Sequence, residues 1–337
     1  MRAFKFNVPT MHVAPPSSFA DYLSQQSYDP FALSLQGMSL MEVVKAYGEY
    51  KRRVNPSYYQ AMSSLTHNLA AVEQSYGIEL QTYQVTGMFW TYFLPFCENR
   101  GLKDTTIHKI SKQLCMVLTW AAKYGAVVAP SYTDFKLRPS KPTAIALSAE
   151  DVNRITYFDI DRFYAKSRKS DREKMNRVRD MFVLSCNLFQ RYSDMVRIEP
   201  SCFDRNLFKI TSQKTGIQAI VDIDKYAISP KTVYRLVEKY GGYAPYTAHI
   251  SNYDRHLKML MRDIGFTEEI RTESRIDGKV VSTNIPKWQL ISSHTARRTA
   301  ITVNVVRGVN MHSIKRCSGH ASLDILDRYI KDEEGSC

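Results

Sequence analysis

The sequence predicts a mainly α-helical protein with a small β-hairpin or sheet, an α+β chain of two domains. Three observations carry this. Apolar residues recur at helical spacing between capping signals through residues 38–126 and again from 148 onward. One stretch, Phe208–Ile223, alternates instead around a Thr-Gly turn. Between the helical regions, residues 127–147 hold Pro130, Pro139 and Pro142, which disfavour regular structure and read as a linker. The 337 residues, 44% hydrophobic and 23% charged, suit two globular domains of ordinary size.

Residues 1–37 form an irregular arm, because Pro9, Pro15, Pro16 and Pro30 interrupt any period. Ser39 and Glu42 make a capping box ahead of Val43, Val44 and Tyr47. Asn55-Pro56 supplies a cap and first-turn proline for a second helix, which runs to about Tyr76 and stops at Gly77. Thr86 caps a third, through Phe89, Trp90, Phe93 and Phe96, ending before Gly101. A fourth starts at Asp104 or Thr105, aligns Ile107, Ile110, Leu114, Val117, Leu118 and Ala121, and stops near Gly125. Four helices with short turns make residues 38–126 a small all-α domain. Its aromatics, Phe89, Trp90, Tyr92, Phe93 and Trp120, read as core at this spacing.

The second domain, 148–337, opens at Leu147–Val152. A long helix over about Asp171–Leu188 places Met175, Val178, Met181, Phe182, Leu184 and Leu188 on one face, interrupted near its end by Ser185 and Asn187. In the hairpin, Ile217, Ala219 and Val221 alternate, and Thr215-Gly216 turns. Helical stretches Pro230–Tyr240 and Asn252–Phe266 follow, then a polar segment with Asp277-Gly278 that reads as a short hairpin. Ser293 caps a helix that Gly308 ends. Met311–Arg316 opens another, and Leu323, Ile325, Leu326 and Ile330 anchor the last.

The net charge is +13. A basic surface gains affinity for polyanions by displacing their counterions, so a nucleic acid is an expected partner. No apolar run approaches the roughly 20 residues of a membrane span. Met1–Ser17 lacks the apolar core of a secretory signal. The six cysteines, Cys97, Cys115, Cys186, Cys202, Cys317 and Cys337, form no Cys-x-x-Cys. They read as buried thiols of a reducing cytoplasm.

The most specific pattern lies near the C-terminus. His294 and Arg297, three residues apart, share a helix face. A helix starting there sets its positive end, backbone N–H groups, an imidazole and a guanidinium at one anion site. Arginine suits a bidentate grip on phosphate oxygens. Gly319-His320 and Asp327-Arg328-Tyr329 follow.

With 23 residues from Arg297 to His320 and nine from His320 to Tyr329, this stretch resembles the catalytic C-terminus of the tyrosine recombinase (phage integrase) family. That family carries His-x-x-Arg, Gly-His and a nucleophilic tyrosine. The resemblance implies an upstream phosphate-holding arginine in an Arg-x-x-Asp/Glu pattern. Arg191 fits it, with Asp194 as supporting acid. It also implies a catalytic hairpin lysine: Lys214, in Gln-Lys-Thr-Gly, is the best match, with Lys209 as alternative. The implied catalytic set is Arg191, Lys214, His294, Arg297, His320 and Tyr329. Phe189-Gln190 departs from the Gly-Leu or Gly-Met usual before the arginine, and Lys331 stands where many members have histidine.

The resemblance further implies a mechanism and its partners. Tyr329 attacks a phosphodiester, giving a 3′-phosphotyrosyl link that another strand's 5′-hydroxyl reseals, with no ATP, metal or other cofactor. Arg191 and Arg297 bind the non-bridging oxygens, and His294 and His320 donate hydrogen bonds. His294 also assists the tyrosine proton, and Lys214 protonates the leaving group. The partners are double-stranded DNA recombination sites, a homo-tetramer in the synapse and accessory DNA-bending proteins, with no membrane. The protein would act in the cytoplasm on DNA of a mobile element.

The helical domain resembles the family's core-binding (SAM-like) domain, ahead of a tyrosine-recombinase catalytic domain. Lys51, Arg52, Arg53, Lys109 and Lys112, with Lys136, Arg138 and Lys141 of the linker, are then DNA-backbone candidates. A solvated face carries such charges too. The arm at 1–37 either reaches along DNA, joins a neighbouring subunit or is a loose terminus. Two other readings stay open: a type IB topoisomerase-like relaxing enzyme, and a non-cleaving DNA-binding protein of the same fold.

Overall fold

The computed structural model describes residues 35–53, 62–135, 137, 139, 143–276, 279–324 and 326. They fall in two compact units, one mainly within 1–140 and one mainly within 141–337.

The first unit contains four helices: α1 (Leu40–Arg52), α2 (Ser63–Tyr76), α3 (Gly87–Asn99) and α4 (Asp104–Lys123). Their ends follow local chemistry. Ser39 Oγ accepts from the Glu42 amide, and the Glu42 carboxylate accepts in turn from the Ser39 amide at 3.0 Å. Thr86 Oγ1 accepts from the Phe89 amide. Gly77 ends α2 in the left-handed region, φ 62°, which favours glycine. The start expected at Asn55-Pro56 lies outside the described residues, and the described helix begins at Ser63.

The α4 stripe, Ile107 to Ala121, is fully buried against Val43, Val44, Leu65, Leu69, Trp90 and Phe93. Tyr92 departs from the expected core role: it is 70% exposed, on the outer face of α3. The first half of the expected linker packs on this core. Pro130–Thr133 forms a 3₁₀ turn, the Tyr132 carbonyl accepts from Trp90 Nε1 at 3.0 Å, and Val128, Tyr132, Phe135 and Leu137 cover apolar surface. Burial of those side chains outweighs the irregularity the prolines impose.

In the second unit, α5 (Ala149–Tyr157), α7 (Pro230–Lys239), α8 (Ile250–Ile264) and α9 (Ser293–Val306) pack around the long α6 (Lys169–Leu188). The α6 face of Met175, Val178, Met181, Phe182 and Leu184 joins a core with Leu257, Leu260, Ala296, Ala300 and Ile301. Ser185 and Asn187 are buried in that face without breaking it. Ser185 Oγ donates to the Met181 carbonyl and Asn187 Nδ2 to the Val183 carbonyl, both at 2.7 Å, while Asn187 Oδ1 accepts from the Ser229 amide at 2.8 Å. Each polar group has a partner, so its burial is tolerated.

The expected hairpin is the larger part of a three-stranded antiparallel sheet: β1 (Phe203–Asp204), β2 (Leu207–Thr211) and β3 (Gln218–Asp222). Phe208 pairs with Val221 and Ile210 with Ala219, and all four face the core. A second ribbon, β4 (Glu269–Ile276) with β5 (Lys279–Pro286), is longer than the short hairpin expected there. Its expected Asp277-Gly278 turn lies outside the described residues. The last full helix is α10 (Met311–Ser318). Leu323 packs on the core and Leu326 is fully buried in it.

Among the described residues, no helix is long and apolar enough to cross a membrane. Cys97, Cys186 and Cys317 are buried free thiols, and burial pushes Cys97 and Cys317 up to about 12.

Candidate active site

The site begins where α6 ends. Phe189 closes that helix in the left-handed region, φ 63° and ψ 7°. For a residue with a Cβ this costs about 1–2 kcal/mol. Its ring is fully buried, which holds the backbone there, and its carbonyl accepts from Arg297 Nη1 at 3.0 Å. So a phenylalanine adopts here a backbone conformation that glycine takes freely. Next to it, Gln190 Nε2 donates to the Leu188 carbonyl at 2.6 Å and the Cys317 carbonyl at 2.8 Å, tying the end of α6 to α10.

Arg191 Nη1 donates to Ser212 Oγ at 3.0 Å and lies 4.0 Å from Asp194 Oδ2. Asp194 is fully buried, and its Oδ1 accepts from the Gln213 amide and Arg197 Nη2, both at 2.8 Å. One carboxylate thus organises both the arginine segment and the β2–β3 turn. That turn is closed by the Ser212 amide on the Ile217 carbonyl and the Gly216 amide on the Ser212 carbonyl. Gly216 takes φ 66°. Lys214 stands exposed on it. Lys209, the alternative, lies on β2 and pairs with Asp204 at 2.9 Å.

The third wall is the start of α9. Its cap is Ser292, one residue before the expected Ser293. Ser292 is extended, φ −144° and ψ 173°, and forms a capping box with Thr295. Asp254 Oδ1, from α8, accepts from the Ser293 amide at 2.7 Å. His294 lies on the exposed side of this first turn. Arg297, one turn on, is the bulkiest fully buried side chain of those described.

A buried guanidinium persists only with partners. Besides the Phe189 carbonyl, Arg297 Nη2 meets the His320 ring, 2.9 Å from Nε2 and 3.2 Å from Nδ1. That close to both nitrogens it lies over the ring face, because in the ring plane the intervening carbon would occupy the position. Gly319, φ 64°, turns the chain at the end of α10 so that His320 meets Arg297.

Arg191, Lys214 and Arg297 therefore lie close enough to His294, and Arg191, Arg297 and His294 close enough to His320, to act on their charge. No family model matches the sequence, and no curated protein matches it either. Solved structures share the fold. A lambda integrase dimer bound to a COC′ core site is 16% identical, with TM-score 0.62 over 87% of this chain and 95% of that one. A lambda integrase tetramer bound to a Holliday junction is 15% identical, with TM-score 0.62 over 87% of this chain and 77% of that one. The Tn1549 transposon integrase in complex with transposon right end DNA is 14% identical, with TM-score 0.61 over 87% of this chain and 94% of that one. The chain has the tyrosine-recombinase fold.

Within the tyrosine-recombinase fold the two histidines sit in a cationic setting. His294 is lowered to about 4, first by protein crowding its ring and then by the charges of Arg297, Arg298, Arg191 and Lys214. The side chain reaches solvent, so the neighbouring cations are what chiefly oppose a proton on its ring. His320, only 3% exposed, is lowered to about 3 by burial, then by Arg297, Arg191 and His294. Both rings are neutral at pH 7 in the free protein.

Between pH 6.5 and these lowered values the unfolded chain binds protons that the folded chain refuses, so stability falls as pH falls through that window. Denaturant titrations from pH 7 to pH 5 are expected to show a decline for the wild type that is shallower in His320→Gln.

Tyr329 lies outside the described residues, as do Lys136, Arg138 and Lys141. On the first unit, the Lys51 ammonium sits 5.7 Å from the centres of both the Tyr47 and Tyr50 rings. Arg52 pairs with Glu49 at 3.0 Å, and Arg53 is exposed. Lys109 and Lys112 are exposed one turn apart on α4. Sequence reasoning missed Ser212, Asp254, Gln190 and Ser318. Gln190, next to Arg191, and Ser318, two residues before His320, had local positions that could have marked them.

Proposed function

We propose that this chain is a site-specific DNA recombinase, an integrase that breaks and rejoins strands through a 3′-phosphotyrosyl intermediate. The observation that carries the proposal is the convergence of Arg191, His294, Arg297 and His320 beside the Lys214 turn in this fold. Arg191 and Arg297 act on the charge of both histidines, and Lys214 on that of His294, a cationic setting that suits a phosphate.

In this mechanism Arg191 and Arg297 hold the two non-bridging oxygens. Arg297 is fixed by the Phe189 carbonyl and the His320 ring, so its donors need no reorganisation as charge builds on phosphorus. Tyr329 is the nucleophile. A phenol has a pKa near 10, so its proton must be taken as it attacks. His294, neutral at pH 7, is the group available to accept it. Lys214 gives a proton to the departing 5′-oxygen. The phosphotyrosyl bond retains the energy of the one broken, and a second 5′-hydroxyl reverses the step.

Lys51, Arg52, Arg53, Lys109 and Lys112 hold the duplex backbone from the helical unit. Lys136, Arg138 and Lys141 continue that contact along the linker. Four protomers act on two duplexes in this reading. In this reading the chain divides into an arm at 1–37, a helical core-binding domain at 38–126, a linker at 127–147 and a catalytic domain at 148–337.

The test uses DNA that the protein selects from a random pool, nicked so that cleavage traps the product. The wild type is expected to leave a denaturant-resistant protein–DNA band and Tyr329→Phe none. Two-site recombination on a plasmid separates a recombinase from an enzyme that only relaxes supercoils. Binding with no band from the wild type would favour the non-cleaving reading.

A further inference from the structure

We propose that Ser318 is a positioning residue that fixes the tautomer of His320, so that the ring carries its hydrogen on Nδ1 and presents a bare Nε2. The consequence for DNA rests on the functional reading above, but the assignment itself does not.

Ser318 is the last residue of α10 and is fully buried. Its hydroxyl has one proton. Oγ lies 2.7 Å from the Ile314 carbonyl, four residues back, and 3.3 Å from the Lys315 carbonyl, and a carbonyl can only accept. The proton is therefore committed to the helix, the usual back-bond of a helical serine. The same Oγ lies 2.8 Å from His320 Nδ1. With the serine proton already used, Oγ accepts in this contact and Nδ1 supplies the hydrogen. Which imidazole nitrogen is protonated is set by the hydrogen bond the other makes. Here the bond at Nδ1 leaves Nε2 with a lone pair.

The left-handed turn at Gly319 makes the contact possible by folding His320 back toward the helix end. Gly319 has Ala219 of β3 beside it, 3.5 Å from where its Cβ would be, so the sheet backs this turn. The Arg297 guanidinium over the ring face opposes a second proton, and Arg191 and His294 act on the ring in the same sense.

This assignment alters what His320 does. A neutral Nδ1–H ring offers an acceptor at Nε2, whereas a phosphate oxygen needs a donor. For His320 to donate there, it must take one proton from solvent at Nε2 as the phosphate enters. Among the described residues, Arg297, Arg191 and His294 act on its charge, and the Ser318 hydroxyl meets its Nδ1.

The experiment is ¹⁵N NMR of the full chain labelled at histidine, without DNA, at pH 7.5. His320→Gln identifies the His320 signals. The wild type is expected to show His320 Nδ1 in the protonated, pyrrole-like range and Nε2 in the bare, pyridine-like range. In Ser318→Ala the two are expected to exchange, because the acceptor for Nδ1–H is gone. Ser318→Thr, which keeps the hydroxyl, is expected to restore the wild-type pattern. A wild-type ring protonated at Nε2, or a Ser318→Ala ring unchanged from wild type, overturns the proposal. Because no DNA is present, either result stands whether or not the chain cleaves DNA.

Discussion

Under the proposed mechanism, lysine in place of Arg297 is expected to lower single-turnover cleavage of a selected site by about 10²–10³-fold, the usual cost of removing one preorganised donor at a developing charge. DNA affinity changes little, because the positive charge is kept. The reason is geometric. Arg297 reaches the Phe189 carbonyl with Nη1 and the His320 ring with Nη2 from a fully buried position. An ammonium is one compact point and cannot serve both while also gripping two phosphate oxygens.

The same substitution is expected to destabilise the fold. A buried Phe189 carbonyl left without its donor costs about 1–3 kcal/mol, on top of a left-handed phenylalanine that this bond helps to hold. Chemical denaturation reads the stability loss separately from the rate. Wild-type cleavage by Arg297→Lys would remove the guanidinium from the reaction.

The second large effect belongs to Lys214. Alanine there is expected to slow cleavage by about 10²–10⁴-fold, the range for a positioned general acid. Folding should be unaffected, because Lys214 is exposed on a turn held by Ser212, Gly216 and Ile217. The diagnostic is the leaving group. With sulfur in place of the bridging 5′-oxygen, the departing thiolate needs no proton, so Lys214→Ala should regain most of its rate. Arg297→Lys should not, since its defect is in holding the phosphate. Lys209→Ala should behave as wild type, because that side chain is paired with Asp204. If sulfur fails to rescue Lys214→Ala, the lysine is not the acid.

Much of this architecture is local and could be read from the chain. The Ser39 box, the Thr86 cap and the Gly77 stop each satisfy orphaned helix groups within four residues, so their signals survive without tertiary knowledge. His294 and Arg297 share one helical turn, and Gly319-His320 follows the end of another, which is why their spacing carried meaning.

What could not be read depends on distant partners. Asp254 caps the Ser293 amide from 39 residues upstream, and Ser212 meets Arg191 across 21. No local rule places a buried phenylalanine in the left-handed region. The packing of its ring and the Arg297 bond to its carbonyl hold it there. Strand β1 is two residues long, too short to show alternation. Tyr92 has the apolar character of its neighbours, but its place on α3 faces water.

The most direct test is to find which residue carries the DNA. Trapped wild-type complex, digested with protease and nuclease, should yield one modified peptide, with Tyr329 esterified to the 3′-phosphate of the cleaved strand. Phosphate on another side chain, a link to the 5′ end, or cleaved DNA without any covalent link would contradict the mechanism.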